Sequence, residues 1–144
     1  MRQFRLLTLL AGLLTLAAAF TISGCATGYT PKNAPPSFAC VAEANLEKIV
    51  CPEAELTEFS CSFKRYEGVD TLHFKVGLKN KSNKDQRYRV HIFLDNGKAV
   101  GGLIPDLIKK GLVKPGQTAT FVYPVMDMPM QPKSVILRVS ALTD

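Results

Sequence analysis

A strict alternation of apolar and polar residues, which starts near Glu55, limits the possible folds more than any other feature. Successive side chains of a strand point to opposite faces of a sheet, so a period of two predicts strands with one buried face. The clearest runs cover residues 59–63, 72–79 and 88–94. Their apolar members are Phe59, Cys61, Phe63; Leu72, Phe74, Val76, Leu78; and Tyr88, Val90, Ile92, Leu94.

Turn residues divide these runs and set the number of strands. Asp95-Asn96-Gly97-Lys98 predicts a tight two-residue hairpin, because Asn-Gly accepts positive φ angles, with Ala99–Ile104 as the returning strand. Lys114-Pro115-Gly116-Gln117 predicts a second turn, and Pro105 to Gly111 predicts one or two helical turns. Strands at 118–125 and 134–142 complete an all-β antiparallel sandwich of about six to seven strands with one short helix.

Three segments of this region carry a family resemblance. Leu78–Asn83, Phe93–Gly97 and Leu112–Gln117 resemble the strand-to-turn motifs of small bacterial immunoglobulin-like domains of the FxLYD type. The resemblance implies an immunoglobulin-like sandwich and brings no active site with it. The segment Gly101–Leu112 is longer than the pattern of that family.

The N-terminus has the three parts of a secretory leader. Arg2 and Arg5 precede an uncharged apolar run, Leu6–Ile22, which is followed by Ile22-Ser23-Gly24-Cys25. As a helix the run would reach about 25 Å, short of the ~30 Å hydrocarbon layer that a permanent span crosses. The four residues resemble the lipobox of bacterial lipoproteins. That resemblance implies cleavage between Gly24 and Cys25 and lipidation of the Cys25 sulfur, whereas ordinary cleavage after 17–19 and an uncleaved anchor are the alternatives.

These features divide the whole chain into four parts. We expect a signal peptide at 1–24, a lipidated N-terminus with a flexible tether at 25–37, a cysteine-bearing segment at 38–54 and the sandwich at 55–144. Twelve flexible residues average ~20 Å end to end, which would hold the domain away from the membrane. Ala26 resembles the residue that, in bacteria with two membranes, directs lipoproteins to the periplasmic face of the outer membrane.

The charge of the chain is mildly positive. The formal net charge is +6, and about +4 remains without the leader arginines. We expect the lipid anchor to place the domain at a membrane and a protein of the cell envelope to be its partner. Nucleic acid is not an expected partner of an exported protein, and the oligomeric state is not predicted.

Lipidation of Cys25 would leave Cys40, Cys51 and Cys61, an odd number in an oxidising compartment. One disulfide and one free thiol are therefore expected. A hairpin folded at 45–46 would set Cys40 opposite Cys51, so that pair is the first candidate and Cys51 with Cys61 the second. A helix over 40–51 would exclude the first pair, because its ends would lie ~16 Å apart. Cys61 lies between phenylalanines, where a cysteine is more often a buried core residue.

Candidates for chemistry are few. Met126, Met128 and Met130 alternate, and soft thioether sulfur suits Cu(I), so a periplasmic copper-binding loop is one hypothesis. Packing under the edge of the sandwich explains the same residues, and His73 and His91, expected on strand surfaces, are distant in sequence. Without a Gly-x-Ser-x-Gly motif or a glycine-rich phosphate loop, we predict no enzyme and no cofactor.

The sequence thus predicts a membrane-anchored envelope lipoprotein with a non-enzymatic sandwich that has a structural or protein-binding role. An accessory assembly subunit of an envelope or secretion complex is the alternative, and copper binding is the second alternative.

Overall fold

The computed structural model describes residues 28–105 and 112–142. These residues form seven strands, preceded by a 3-10 turn at Glu43–Asn45. The strands are β1 (Leu46–Val50), β2 (Ala54–Tyr66), β3 (Val69–Asn80), β4 (Arg87–Leu94), β5 (Ala99–Ile104), β6 (Thr118–Val125) and β7 (Val135–Leu142). The leader, Gly24 and Cys25, and residues 106–111 of the predicted helical turn lie outside the described residues.

The strands form a two-layer sandwich, so the predicted all-β fold is confirmed. A front sheet has the order β1-β7-β4-β5, and a back sheet has the order β2-β3-β6. Strands β3, β4, β6 and β7 occupy the places of strands B, C, E and F in an immunoglobulin sandwich. The expected antiparallel arrangement has one exception, because β1 pairs with β7 in parallel. The sandwich thereby begins at Leu46, within the predicted 38–54 segment.

The two ends of the sandwich carry different connections. The lower end, as we name it, has the β2–β3 turn at 67–68, the β4–β5 turn at 95–98 and the β6–β7 loop at 126–134. The upper end has the β1–β2 turn at 51–53, the β3–β4 loop at 81–86 and the segment before β6. This distinction matters because the chain enters the domain at the lower end, beside residue 131.

The core lies between the sheets and follows the predicted alternation. The apolar residues of the 72–78 run in β3 are all fully buried, and those of β4 are at most 7% exposed. The opposing strand β7 contributes Val135, Leu137 and Val139. Burial of these faces is the main source of stability in a sandwich of this size.

The turns were placed correctly, although one differs in type. Gly97 has positive φ but Asn96 does not, and the Leu94 N–H donates to the Lys98 carbonyl at 2.9 Å. The connection is therefore a three-residue turn in which Gly97 takes the left-handed conformation, not the expected two-residue hairpin. The Lys114–Gln117 turn is confirmed, with Gly116 at φ +74 and the Gln117 N–H bonded to the Lys114 carbonyl.

Asn80, at the end of β3, holds the upper end together. Its side chain is fully buried, and its Nδ2 donates to the carbonyls of Lys84 (2.6 Å) and Val113 (2.8 Å). Its Oδ1 accepts hydrogen bonds from the backbone N–H and hydroxyl of Ser82, both at 2.8 Å. One amide thus joins the β3–β4 loop to the segment that precedes β6.

Candidate functional site

The disulfide is the first point at which the structure corrects a predicted site. Cys40 is bonded to Cys61, with their Cα atoms 4.9 Å apart, and Cys51 is free. Neither Cys40–Cys51 nor Cys51–Cys61 is formed. The reason is that residues 46–50 pair with β7 instead of folding back as a hairpin, while Phe38 forms a bridge with Cys61 at the open edge of β2. The bond fastens the N-terminal segment to the back sheet.

The free thiol of Cys51 lies at the upper end, in surroundings that suppress its reactivity. Burial and the nearby carboxylate of Glu53 raise the pKa of Cys51. Burial, with Cys51 and Glu53 nearby, raises the pKa of Tyr88 to about 12. The Tyr88 hydroxyl donates to the Glu53 carbonyl at 2.9 Å. Since the thiolate is the nucleophilic form, the raised pKa leaves less of the Cys51 thiol in that form at neutral pH.

The three methionines of the 126–134 loop do not share one surface. Met128 is buried, and its Sδ accepts a hydrogen bond from Asn96 Nδ2 at 3.1 Å. Met126 and Met130 are 46% and 55% exposed. Met128 is therefore part of the buried packing at the lower end.

The described residues contain no group of three or more histidine, cysteine or acidic side chains that could hold a metal ion. His73 was expected on a strand surface but is buried, with its Nδ1 2.9 Å from the Thr71 carbonyl. His91 is half-buried on the front sheet. Within residues 28–105 and 112–142, no helix is long and apolar enough to cross a bilayer.

The outer surface of the front sheet, which we call the front face, is the most distinctive surface of the domain. It is formed by the residues of β1, β4, β5 and β7 that alternate with the core positions. They are Glu47, Ile49, Arg89, His91, Phe93, Ala99, Gly101, Leu103, Ile136 and Arg138. Their order in space follows from the strand register, which sets His91 beside Arg138 and Phe93 beside Ile136.

Two arginines on the front face form no ion pair with a carboxylate of the described residues. Arg89 and Arg138 are exposed, whereas the salt bridges among residues 28–105 and 112–142 are Lys48–Glu43 and Lys75–Glu58. Phe93 and Ile136 are each about two-fifths exposed on the same face. Arginine and aromatic side chains are enriched at the centres of protein interfaces, so this combination is typical of a binding surface.

A shallow hollow of about 430 Å³ lies on the front face beside β5. Gly101 is part of its lining, and only glycine fits at this position because a Cβ there would collide with the Val90 carbonyl and φ is +157. Arg89, His91 and Leu103 border the hollow. Its walls supply the guanidinium group of Arg89 and the imidazole ring of His91.

The N-terminal segment is attached to the lower end by Gln131, which sequence analysis did not single out. The Gln131 N–H donates to the Tyr29 carbonyl and its Oε1 accepts from the Tyr29 N–H, both at 2.9 Å. Its Nε2 also donates to the carbonyls of Ala39 (2.8 Å) and Cys40 (3.0 Å). The ring of Tyr29 packs against Phe38, with centroids 4.8 Å apart. The predicted tether is thus docked on the domain from Tyr29 onward.

No protein-family model, curated protein or solved structure matches this chain. The structure alone defines the class of protein, which is an all-β sandwich whose N-terminal segment is joined to the back sheet by a disulfide.

Proposed function

We propose that this chain is a membrane-anchored envelope lipoprotein whose sandwich has a non-enzymatic role and binds a protein partner through the front face. The observation that carries the proposal is the succession of a leader, the lipobox-like Ile22–Cys25 and a disulfide-bonded domain in one short chain. Two or more acyl chains on Cys25 would hold the protein at a bilayer, because each buried methylene contributes ~0.8 kcal/mol. Ala26 favours the periplasmic face of an outer membrane as the location.

The disulfide supports the exported location. Bonds of this kind persist in secreted and periplasmic proteins and are rare in a reducing cytosol. Cys40 and Cys61 are both at most 2% exposed, so their bond belongs to the core and not to a reactive surface. A domain with a buried disulfide is suited to an oxidising compartment outside the inner membrane.

The front face supports a binding role. Arg89 and Arg138 are free of intramolecular ion pairs among the described residues, and the exposed apolar side chains of Phe93 and Ile136 lie on the same face. A partner with carboxylates could pair with both arginines while covering Phe93 and Ile136. Such pairing gives specificity and faster association, and burial of the apolar residues gives affinity.

Crosslinking in intact cells tests this role. A photoreactive amino acid at Leu103, on the rim of the hollow, should capture a discrete partner. Arg89→Glu combined with Arg138→Glu should reduce that product at least several-fold, because both arginines then repel a carboxylate-bearing surface. Lys79→Glu, an exposed position on the back sheet, is the matched control and should leave the product unchanged. An equal yield from the double variant would contradict binding through the front face.

The assembly-subunit alternative predicts a different stoichiometry. A dedicated subunit of an envelope or secretion complex should be recovered almost entirely in one large crosslinked species. A free-standing lipoprotein should be recovered mostly uncrosslinked, with a minor product. Quantifying the two fractions on the same gel separates these roles.

A further inference from the structure

The exposed apolar side chains are concentrated at one end of the domain. Among the described residues eight large apolar side chains are exposed, and all but Ile49 lie at the lower end or on the sheet rows next to it. Five of them are in the connections of that end or immediately beside them, and we call this set the apolar tip. The apolar tip is Tyr29, Tyr66, Val69, Met126 and Met130.

Hydrogen bonds hold the connections of the lower end in one unit. The Leu72 N–H donates to the Met128 carbonyl at 3.1 Å, which ties the start of β3 to the 126–134 loop. Lys98 Nζ donates to the Met126 carbonyl at 2.7 Å, which adds the β4–β5 turn. These hydrogen bonds fix the connections that hold the apolar tip relative to one another. Val69 and Met130 nevertheless remain 56% and 55% exposed.

The lipid anchor would attach to this same end. Tyr29 is fixed to Gln131 by two hydrogen bonds, and only three residues separate it from Cys25 in the chain. Four Cα-to-Cα steps of a fully extended chain span about 14 Å. An acylated Cys25 therefore cannot be farther than this from Tyr29, so the upper end is excluded as the side that approaches the lipid.

We infer that the apolar tip lies in the headgroup region of the bilayer that holds the anchor, with the upper end and the front face directed away from it. The inference rests on the proposed lipidation of Cys25. Tyrosines such as Tyr29 and Tyr66 are enriched at membrane interfaces, because their rings are apolar and their hydroxyls stay hydrated. Val69 and Met130 would enter the adjoining acyl boundary.

The charges of the lower end point to the lipid interface itself and not to an anionic lipid surface. Positive and negative side chains nearly balance there. The positive ones are Lys32, Lys64, Arg65, Lys98 and Lys133, and the negative ones are Glu67, Asp70, Asp95 and Asp127. Contact should therefore occur on zwitterionic vesicles and should change little with salt, unlike binding by a basic patch.

The test uses the full lipidated chain in phosphatidylcholine vesicles, in a Cys51→Ser background. An environment-sensitive fluorophore is attached at Val69→Cys in one sample and at Asn83→Cys, on the upper end, in the other. We expect a blue-shifted emission at position 69 and at least several-fold stronger quenching by spin-labelled lipid than at position 83. Unchanged circular dichroism spectra confirm that each labelled chain is folded.

Three results would contradict the inference, and each can be told apart from the others. Equal, weak quenching at both positions in an acylated protein would overturn the inference and leave the proposed function intact. A blue shift at position 69 without lipid quenching would also overturn it, because a protein contact would then cover the tip. If intact mass shows no acyl chains on the protein, the proposed function fails together with this inference.

Discussion

Gln131 and Tyr29 are joined by a reciprocal pair of hydrogen bonds across 102 positions of sequence. The contact converts most of the predicted tether into part of the domain. It also decides which end of the sandwich is nearest to Cys25, so a single glutamine links the fold to the orientation of the protein at a membrane.

Replacing this glutamine should loosen the N-terminal segment. Gln131→Ala removes three side-chain hydrogen bonds, those to Tyr29, Ala39 and Cys40, and should lower the free energy of unfolding by roughly 1–3 kcal/mol. Hydrogen exchange of the Tyr29 amide should accelerate. Gln117→Ala, at an exposed turn position, is the control and should change neither quantity. Unaltered exchange at Tyr29 in the Gln131 variant would refute the docked geometry.

Asn80 gives a second stability prediction. Asn80→Ala removes the four hydrogen bonds of a fully buried amide, while the carbonyls of Lys84 and Val113 each keep one other donor, and should cost roughly 2–4 kcal/mol in urea unfolding. The exposed neighbour Asn83 provides the comparison, and Asn83→Ala should change stability by less than about 0.5 kcal/mol. Similar losses in the two variants would argue against the network.

The thiol pattern follows from the Cys40–Cys61 bond. The mature protein should show one slowly reacting thiol, Cys51, whose pKa is raised mainly by burial, and three thiols after reduction and unfolding. Cys40→Ser with Cys61→Ser should lower stability by about 3 kcal/mol, since the bond closes a loop of some twenty residues. Cys51→Ser should be nearly neutral. A native count of three would disprove the bond.

Tyr88 predicts alkaline sensitivity. Because its pKa is about 12 in the folded protein against an ordinary 10, the folded state keeps a proton that the unfolded chain loses between these values. The free energy of unfolding should therefore fall as pH rises from 10 to 12, by up to about 3 kcal/mol. Tyr88→Phe should remove this component, at the cost of about 1 kcal/mol at neutral pH for the bond to Glu53.

The comparison for that titration is Tyr66→Phe, which changes an exposed ring and should keep the decline between pH 10 and 12. If the free energy of unfolding falls equally between pH 10 and 12 in the Tyr88 and Tyr66 variants, groups other than Tyr88 must cause the decline. Chemical unfolding monitored at several pH values gives the slopes directly.

Local patterns explain which parts of the fold were predictable. Strands β2, β3 and β4 follow from alternation within each run, β5 follows from the hairpin that precedes it, and the turns after Leu94 and Lys114 follow from Asn-Gly and Pro-Gly chemistry. Both signals act over a few residues, so one sequence is enough to detect them. The β2–β3 turn carries a similar sequence signal, because Gly68 follows Glu67, and it could have been found in the same way. Both residues have positive φ in the structure.

Pairing between distant segments was not predictable by these means. The Cys40–Cys51 hypothesis assumed that residues 46–50 fold back locally, whereas their partner is β7, about ninety residues later. The front face depends on the same kind of information, because Arg138 and His91 become neighbours only through the β4–β7 register. The apolar tip likewise combines residues from the N-terminal segment, the β2–β3 turn and the β6–β7 loop.

The proposed anchor depends on the sulfur of Cys25, and membrane fractionation of Cys25→Ser tests it most directly. The parent protein and the control Cys51→Ser should sediment with membranes after an alkaline wash. The Cys25→Ser protein should be released into the soluble fraction and lack acyl mass. If it sediments with membranes as completely as the parent, the protein is not held there by a lipid on Cys25.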